Sequence, residues 1–174
     1  IMDLKNNRRG RIKEYAEHFE GVTYTPVDRS LDHNPLWAVD ADVALPAATQ
    51  NEINGKDAEN LIANGVFVVS EGSNMPSMPA AVDKFLHAGI LYAPGKASNA
   101  GGVATSGLEM SQNSMRLSWT REEVDAKLDA IMCEIHAVCA KTAAEYGQPG
   151  NYMLGANIAG FLKVADSMLA QGII

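Results

Sequence analysis

The sequence is short of cysteine and of positive charge, and it holds no long apolar run. Its only cysteines are Cys133 and Cys139. Two cysteines in 174 residues exclude a disulfide framework, and a reducing compartment, the cytoplasm, is the expected location. Lysine and arginine total 14 against 21 aspartates and glutamates, a formal net charge of −7. That balance gives a nucleic-acid partner no electrostatic footing. No apolar stretch approaches the roughly 20 residues that a membrane helix needs, so no membrane partner is expected. The first residues show no signal-peptide pattern. A Gly-x-Gly-x-x-Gly turn is missing as well, so nothing read from the residues alone specifies a dinucleotide. There is no internal repeat and no low-complexity segment.

What is present suits one globular domain with a sizeable core: 47% hydrophobic and 20% charged residues. The chain opens on Ile1-Met2-Asp3-Leu4-Lys5 with no lead-in, which reads as the inside of a helix and is expected of a piece of a longer protein. Residues 1–19 are expected to be helical, with Leu4, Ile12, Tyr15, Ala16 and Phe19 as the apolar members and Gly10 weakening the middle. Lys5, Arg8, Arg9, Arg11 and Lys13 read as a solvated face, because Glu14, Glu17 and Glu20 follow at once. Val22–Thr25 is a short strand candidate, and residues 26–38 form an exposed loop in which His33 is solvated.

Alternation then sets in. Val39–Leu45 reads as a strand, Lys56–Ala63 as a helix ended by Asn64-Gly65, and Val66–Val69 as a strand apolar on both faces. A helix over Pro79–Ala88 leads to the strand Ile90–Tyr92. Short elements in this order make right-handed crossovers and a parallel sheet with helices on its faces, an α/β fold. Ligands of such sheets bind beyond the carboxyl ends of the strands, which directs Thr49, Gln50, Asn74 and Asn99 to one crevice. After the third strand come Pro94-Gly95 and a run of small polar residues, where a backbone can approach a ligand or another helix closely. Lys96, beside that turn, reads as a solvated charge.

The last third is helical. Thr120-Arg121-Glu122-Glu123 is a capping box, and Val124, Leu128, Ile131, Ile135 and Val138 recur at helical spacing up to about Glu145. A second helix covers Tyr152–Ala170. Gly155 and Gly160 each cost it about 1 kcal/mol against alanine, and close approach to a neighbouring element is the expected compensation. Cys133, His136 and Cys139 fan over a wide arc of one helix, so they hold neither a metal ion nor a disulfide.

Four stretches carry a resemblance. Pro94-Gly95-Lys96-Ala97-Ser98-Asn99-Ala100-Gly101-Gly102-Val103, followed by Ser106-Gly107-Leu108-Glu109-Met110, resembles the signature of the small hexameric glutamate dehydrogenases. Ala44–Glu52 and Glu71-Gly72-Ser73-Asn74-Met75-Pro76 resemble that family's successive loops at the nicotinamide, and Gly155-Ala156-Asn157-Ile158-Ala159-Gly160-Phe161 its C-terminal helix. Order and spacing agree from about residue 35 onward. Ala47 stands where cysteine is common and Ser73 where alanine is common.

The resemblance implies the C-terminal portion of an NADP-type enzyme, with NAD as the alternative cofactor. Residues 1–118 would be the second half of a Rossmann-like cofactor domain, and residues 119–174 a helical region packed on it. The full-length protein would be a hexamer that interconverts L-glutamate with 2-oxoglutarate and ammonia. It also implies roles. Ser106 matches a serine on the substrate's distal carboxylate, and Val103 a residue lining that pocket. Asn74 matches an asparagine near the nicotinamide amide, Asn99 one near the reacting carbon and nicotinamide, and Thr49 and Gln50 a loop bordering the cofactor. The family's catalytic lysine and aspartate and its pyrophosphate-binding glycines precede the matched part, so no catalytic residue is expected here and the fragment alone should be inactive. Two other readings stand beside this one. A dehydrogenase for leucine, valine or phenylalanine is disfavoured by Ser106, since those substrates lack a distal carboxylate. A non-catalytic nucleotide-binding or assembly module is the reading outside the enzymes.

Overall fold

A computed structural model of the protein describes residues 1–28 and 30–172. The element order after the N-terminal region is that of a parallel α/β sheet: β1 (Val43–Ala44), α2 (Gly55–Ala63), β2 (Val68–Ser70), α3 (Pro79–His87) and β3 (Leu91–Ala93). The strands pair in sequence order, all parallel, with Val43 opposite Val68 and Val69 opposite Tyr92. α4 (Gly95–Ser98), α5 (Gly101–Met115), α6 (Arg121–Glu145) and α7 (Tyr152–Gln171) follow.

Strand periodicity divides the sheet into unlike faces. Val69 and Tyr92 point into the main core, where Phe85 of α3, Leu61 and Ala58 of α2, and Ile53 are buried. The Phe85 and Tyr92 rings stack with centroids 5.8 Å apart. Val68, Ser70, Leu91 and Ala93 face the other way and line a cavity of about 370 Å³ under Met132, Ile135 and Cys139 of α6. The run Val66–Val69 is therefore not buried on both sides: Val66 and Val69 are covered, whereas Phe67 is exposed.

The N-terminal region departs from a continuous helix. A π-helical turn, Asp3–Asn7, and α1, Lys13–His18, are separated by a break at Arg9 and Gly10. Arg9 is left-handed, with φ 57°, and a Cβ at Gly10 would lie 2.5 Å from a Leu4 methyl. Leu4 can be buried only by folding back on the glycine. Val22–Thr25 forms no strand, and Val39–Leu45 is strand only at Val43 and Ala44. The stretch before Val39 is not all exposed loop: a 3₁₀ turn, Pro35–Ala38, buries Trp37 in the core. Buried Asp57 ties that turn down, accepting from the Asn34 and Asn54 N–H groups at 2.7 and 2.9 Å. His33 sits against Asp32 at 2.8 Å rather than in bulk solvent.

The capping box at Thr120 is formed in both directions, with Glu123 N–H on the Thr120 hydroxyl and Thr120 N–H on the Glu123 carboxylate. Thr120→Ala is expected to cost about 1 kcal/mol. The shift of the urea midpoint reads it out, and an unchanged midpoint would assign the start of α6 to packing alone.

α6 and α7 run against each other through Gly155. A Cβ there would sit 2.0 Å from the Cys139 carbonyl oxygen, so this glycine is a point of backbone contact. Gly160 has nothing within 4 Å of a built Cβ, so close approach within the chain does not explain it. Cys139 is buried, which pushes its thiol pKa up, whereas Cys133 on the same helix is exposed. His136 lies against the Tyr152 hydroxyl at 3.3 Å.

Candidate functional site

Each strand of the sheet ends in a polar loop, and the loops are bound into one rim. Gly72 and Ser73 N–H groups donate to the Pro46 carbonyl at 2.8 and 3.2 Å, joining the β1 and β2 exits. Asn51 N–H donates to Met75 O at 3.0 Å and Ile53 N–H to Pro76 O at 2.9 Å. The β2 and β3 exits are joined by Glu71 N–H to Ala93 O at 3.1 Å and by the Ser98 hydroxyl to Glu71 O at 2.6 Å. Asn51 and Met75 are both left-handed, with φ 57° and 54°. Non-glycine residues hold that conformation where surrounding bonds over-determine it, and such places cluster at binding sites.

The rim carries the amides. Thr49 and Gln50 follow β1, Asn74 follows β2, and Asn99 follows β3; the first three are exposed. Asn99 is half-buried, and its Nδ2 donates to the Gly72 carbonyl at 2.7 Å. That bond fixes the side chain and leaves its carbonyl oxygen to accept from a ligand. The Glu52 carboxylate accepts from the Ala48 and Thr49 N–H groups at 3.0 and 3.4 Å, shaping the loop before it. A cavity of about 420 Å³ opens beside Asn74, between the β2 exit and Lys96 and Met153. Lys96 is exposed, as expected of a solvated charge, and its Nζ also donates to Asn157 Oδ1 of α7 at 2.6 Å.

Two residues inside the quoted motifs take structural parts in the site that the sequence did not specify. Glu71, 3% exposed, accepts from Gly95 N–H at 2.6 Å and Ser77 N–H at 3.2 Å. The buried Tyr92 hydroxyl lies near it; burial first, then the Glu71 carboxylate, raise the Tyr92 pKa far above the usual phenol range. Gly95 is the second, because a Cβ there would meet Ser73 O at 2.9 Å. An acidic residue directly after an apolar strand was the available signal for Glu71. Its burial could not be read from spacing.

Val103 and Ser106 lie one turn apart on the exposed face of α5. A family model described as glutamate/leucine/phenylalanine/valine dehydrogenase matches residues 1–172. The chain belongs to this dehydrogenase family. It is 64% identical over 173 residues to the NAD(P)-specific glutamate dehydrogenase of Xylanibacter ruminicola, covering 99% of this chain and 37% of that protein. Its identity to the NADP-specific glutamate dehydrogenase of Haemophilus influenzae is 55% over 174 residues, covering 99% of this chain and 37% of that protein. The Plasmodium falciparum glutamate dehydrogenase structure superposes with a TM-score of 0.90 at 46% identity, covering 99% of this chain and 36% of that one. The chain thus spans a little over a third of the relatives it matches.

Within this dehydrogenase-family chain, Ser106 is not at a helix start. α5 begins at Gly101, so Ser106 stands in the second turn with its own amide committed to the helix. The helix end contributes nothing direct at its hydroxyl. The Thr105 and Ser111 hydroxyls turn back to the Gly101 and Gly107 carbonyls, whereas no such bond ties Ser106 among the described residues. Any anion selectivity there falls to the hydroxyl itself. Among the described residues no group of three histidine, cysteine or acidic side chains is placed to hold a metal ion, and no helix is long and apolar enough to cross a membrane.

The donor set suits a nicotinamide. A carboxamide needs both donors and acceptors, and exposed Asn74 and Asn99, with its unspent oxygen, offer both.

Proposed function

We propose that this chain forms one wall of the cofactor and substrate crevice of a glutamate dehydrogenase. The full-length enzyme interconverts L-glutamate with 2-oxoglutarate and ammonia, using NADP, with NAD as the alternative. The observation that carries the reading is the rim: three consecutive strand exits bring Thr49, Asn74 and Asn99 to one end of a parallel sheet in a chain of this family. Residues 1–118 are read as the second half of the cofactor domain and residues 119–174 as the helical region against it. β1 stands at the edge of the sheet with one side unpaired among the described residues, which fits a domain whose other strands lie elsewhere in the full-length protein. We read that protein as a cytoplasmic homohexamer.

The nicotinamide, when bound, accepts or returns the hydride. This chain's residues orient and select. Asn74 and Asn99 would hold the carboxamide of the nicotinamide, donating to it and accepting from it. Thr49 and Gln50 border the cofactor and shed water from it. The Ser106 hydroxyl donates to the substrate's distal carboxylate, and Val103 packs on its methylenes. Distal-carboxylate recognition favours glutamate over leucine, valine and phenylalanine. The positive countercharge and the general acid/base group come from outside these residues.

Purified full-length protein is expected to oxidise NADPH only when 2-oxoglutarate and ammonium are both present, and the 174-residue chain alone to show no turnover. A full-length protein that aminates only branched or aromatic 2-oxo acids would overturn the substrate assignment. Turnover by the pure 174-residue chain would overturn its reading as one wall of the crevice.

A further inference from the structure

One buried carboxylate lies between the β2 and β3 exits, and the chemistry above leaves it unused. Burying a carboxylate is costly unless its oxygens find donors. Two backbone N–H groups reach Glu71, Gly95 on Oε2 at 2.6 Å and Ser77 on Oε1 at 3.2 Å, and the buried Tyr92 hydroxyl lies near the same carboxylate. No ion pair engages it among the described residues. Its role is therefore one of geometry. The Ser77 bond closes residues 71–77 into a loop that carries Asn74. The Gly95 bond clamps the next exit four residues before Asn99.

The clamp has little slack. A Cβ at Gly95 would lie 2.9 Å from Ser73 O and 3.1 Å from Glu71 Oε2, so the exits touch at van der Waals limit. The Glu71 backbone adds a second pair of bonds, giving its N–H to Ala93 O and taking the Ser98 hydroxyl on its carbonyl. Asn99 closes the circuit by donating to Gly72, the residue after Glu71. Glu71 thus shares with the Asn99–Gly72 bond the ties that set the spacing between the Asn74 and Asn99 amides.

We propose that Glu71 is a positioning residue, whose carboxylate holds the Asn74 and Asn99 amides at the separation a nicotinamide carboxamide requires. The inference rests on the reading of those asparagines as cofactor contacts. Glutamine at 71 keeps the shape but turns an NH₂ group toward an N–H donor, so one of the two backbone bonds is lost. Aspartate keeps the charge and falls one methylene short of spanning both donors.

The test is made in the full-length enzyme, with NADPH affinity measured by nucleotide fluorescence. Glu71→Gln and Glu71→Asp are each expected to weaken NADPH about tenfold, the scale at which small misplacements of positioning groups are felt. The double variants Glu71→Gln/Asn74→Ala and Glu71→Gln/Asn99→Ala should bind NADPH no more weakly than the asparagine single variants. A residue that merely supports the fold would instead weaken binding additively. Wild-type affinity in Glu71→Gln, or strict additivity, with weakened asparagine variants overturns the positioning role and leaves the cofactor reading intact. Wild-type affinity in both asparagine variants overturns the reading and the positioning role together. Should neither Glu71 variant fold, hydrogen exchange in the wild-type enzyme decides. Saturating NADPH should slow exchange of the Gly95 and Ser77 amides about tenfold or more, because loop opening then requires cofactor release. Unchanged exchange at both amides overturns the role.

Discussion

Gly155→Ala is expected to destabilise the 174-residue chain by about 2 kcal/mol. The added methyl would sit 2.0 Å from the Cys139 carbonyl oxygen and 2.9 Å from its carbon. Those are backbone atoms, so no side chain can swing aside. α6 and α7 must separate, and the tight contact that aligns them is lost. Overpacking of this kind costs up to about 3 kcal/mol, and the better helix propensity of alanine returns about 1 kcal/mol. The clash wins. In a chain of this size the net loss corresponds to a melting temperature lower by about 4–8 °C. Gly160→Ala is the matched control. Nothing lies within 4 Å of its built Cβ, so only the propensity gain operates, and the chain should be stabilised by up to about 1 kcal/mol. Thermal unfolding of the two variants side by side decides it. A Gly155→Ala melting temperature at or above wild type would reject the backbone contact.

Ser106→Ala in the full-length enzyme is expected to raise KM for glutamate and 2-oxoglutarate about ten- to hundredfold and to leave NADP nearly unaffected. A hydroxyl bonded to a carboxylate contributes on the order of 1.5–3 kcal/mol, which sets that range. Ser106 is exposed on α5 and bonded to no described residue, so removing its hydroxyl breaks nothing inside this chain. Exposed substitutions of that kind change stability by about 0.5 kcal/mol or less. A kinetic effect therefore reports what meets the hydroxyl from outside. Ser106→Val should go further and relax discrimination against norvaline, because the polar group that rejects a monocarboxylic side chain has gone. Steady-state constants for glutamate and norvaline provide the check. An unchanged ratio in both variants would reject the carboxylate-binding role.

Much of the architecture was written in local pattern. The alternation of apolar runs with helical stretches between Val39 and Tyr92 specified a parallel sheet, and the structure has three parallel strands in sequence order. Thr120 and Glu123 announced the start of α6, because a capping box is satisfied by residues three apart and needs no distant partner. The placement of Thr49, Asn74 and Asn99 beyond the strand ends followed from the same pattern, since a parallel sheet sends all its exits to one side.

Tertiary structure decided what depends on residues far apart in the chain. Val22–Thr25 has strand composition but no strand to pair with among the described residues, and it stays irregular. The stretch read as an exposed loop before Val39 holds a 3₁₀ turn, because Trp37 enters the core there. Gly155 and Gly160 look alike on one helix, and only the line of α6 makes the first indispensable to close packing. Glu71 reads as one more polar loop residue, yet folding buries it and supplies donors six and 24 positions away. Hydrophobic period and caps are properties of neighbouring residues, so the sequence by itself determines them. Desolvation and backbone contact are set by elements that meet only after the chain has folded.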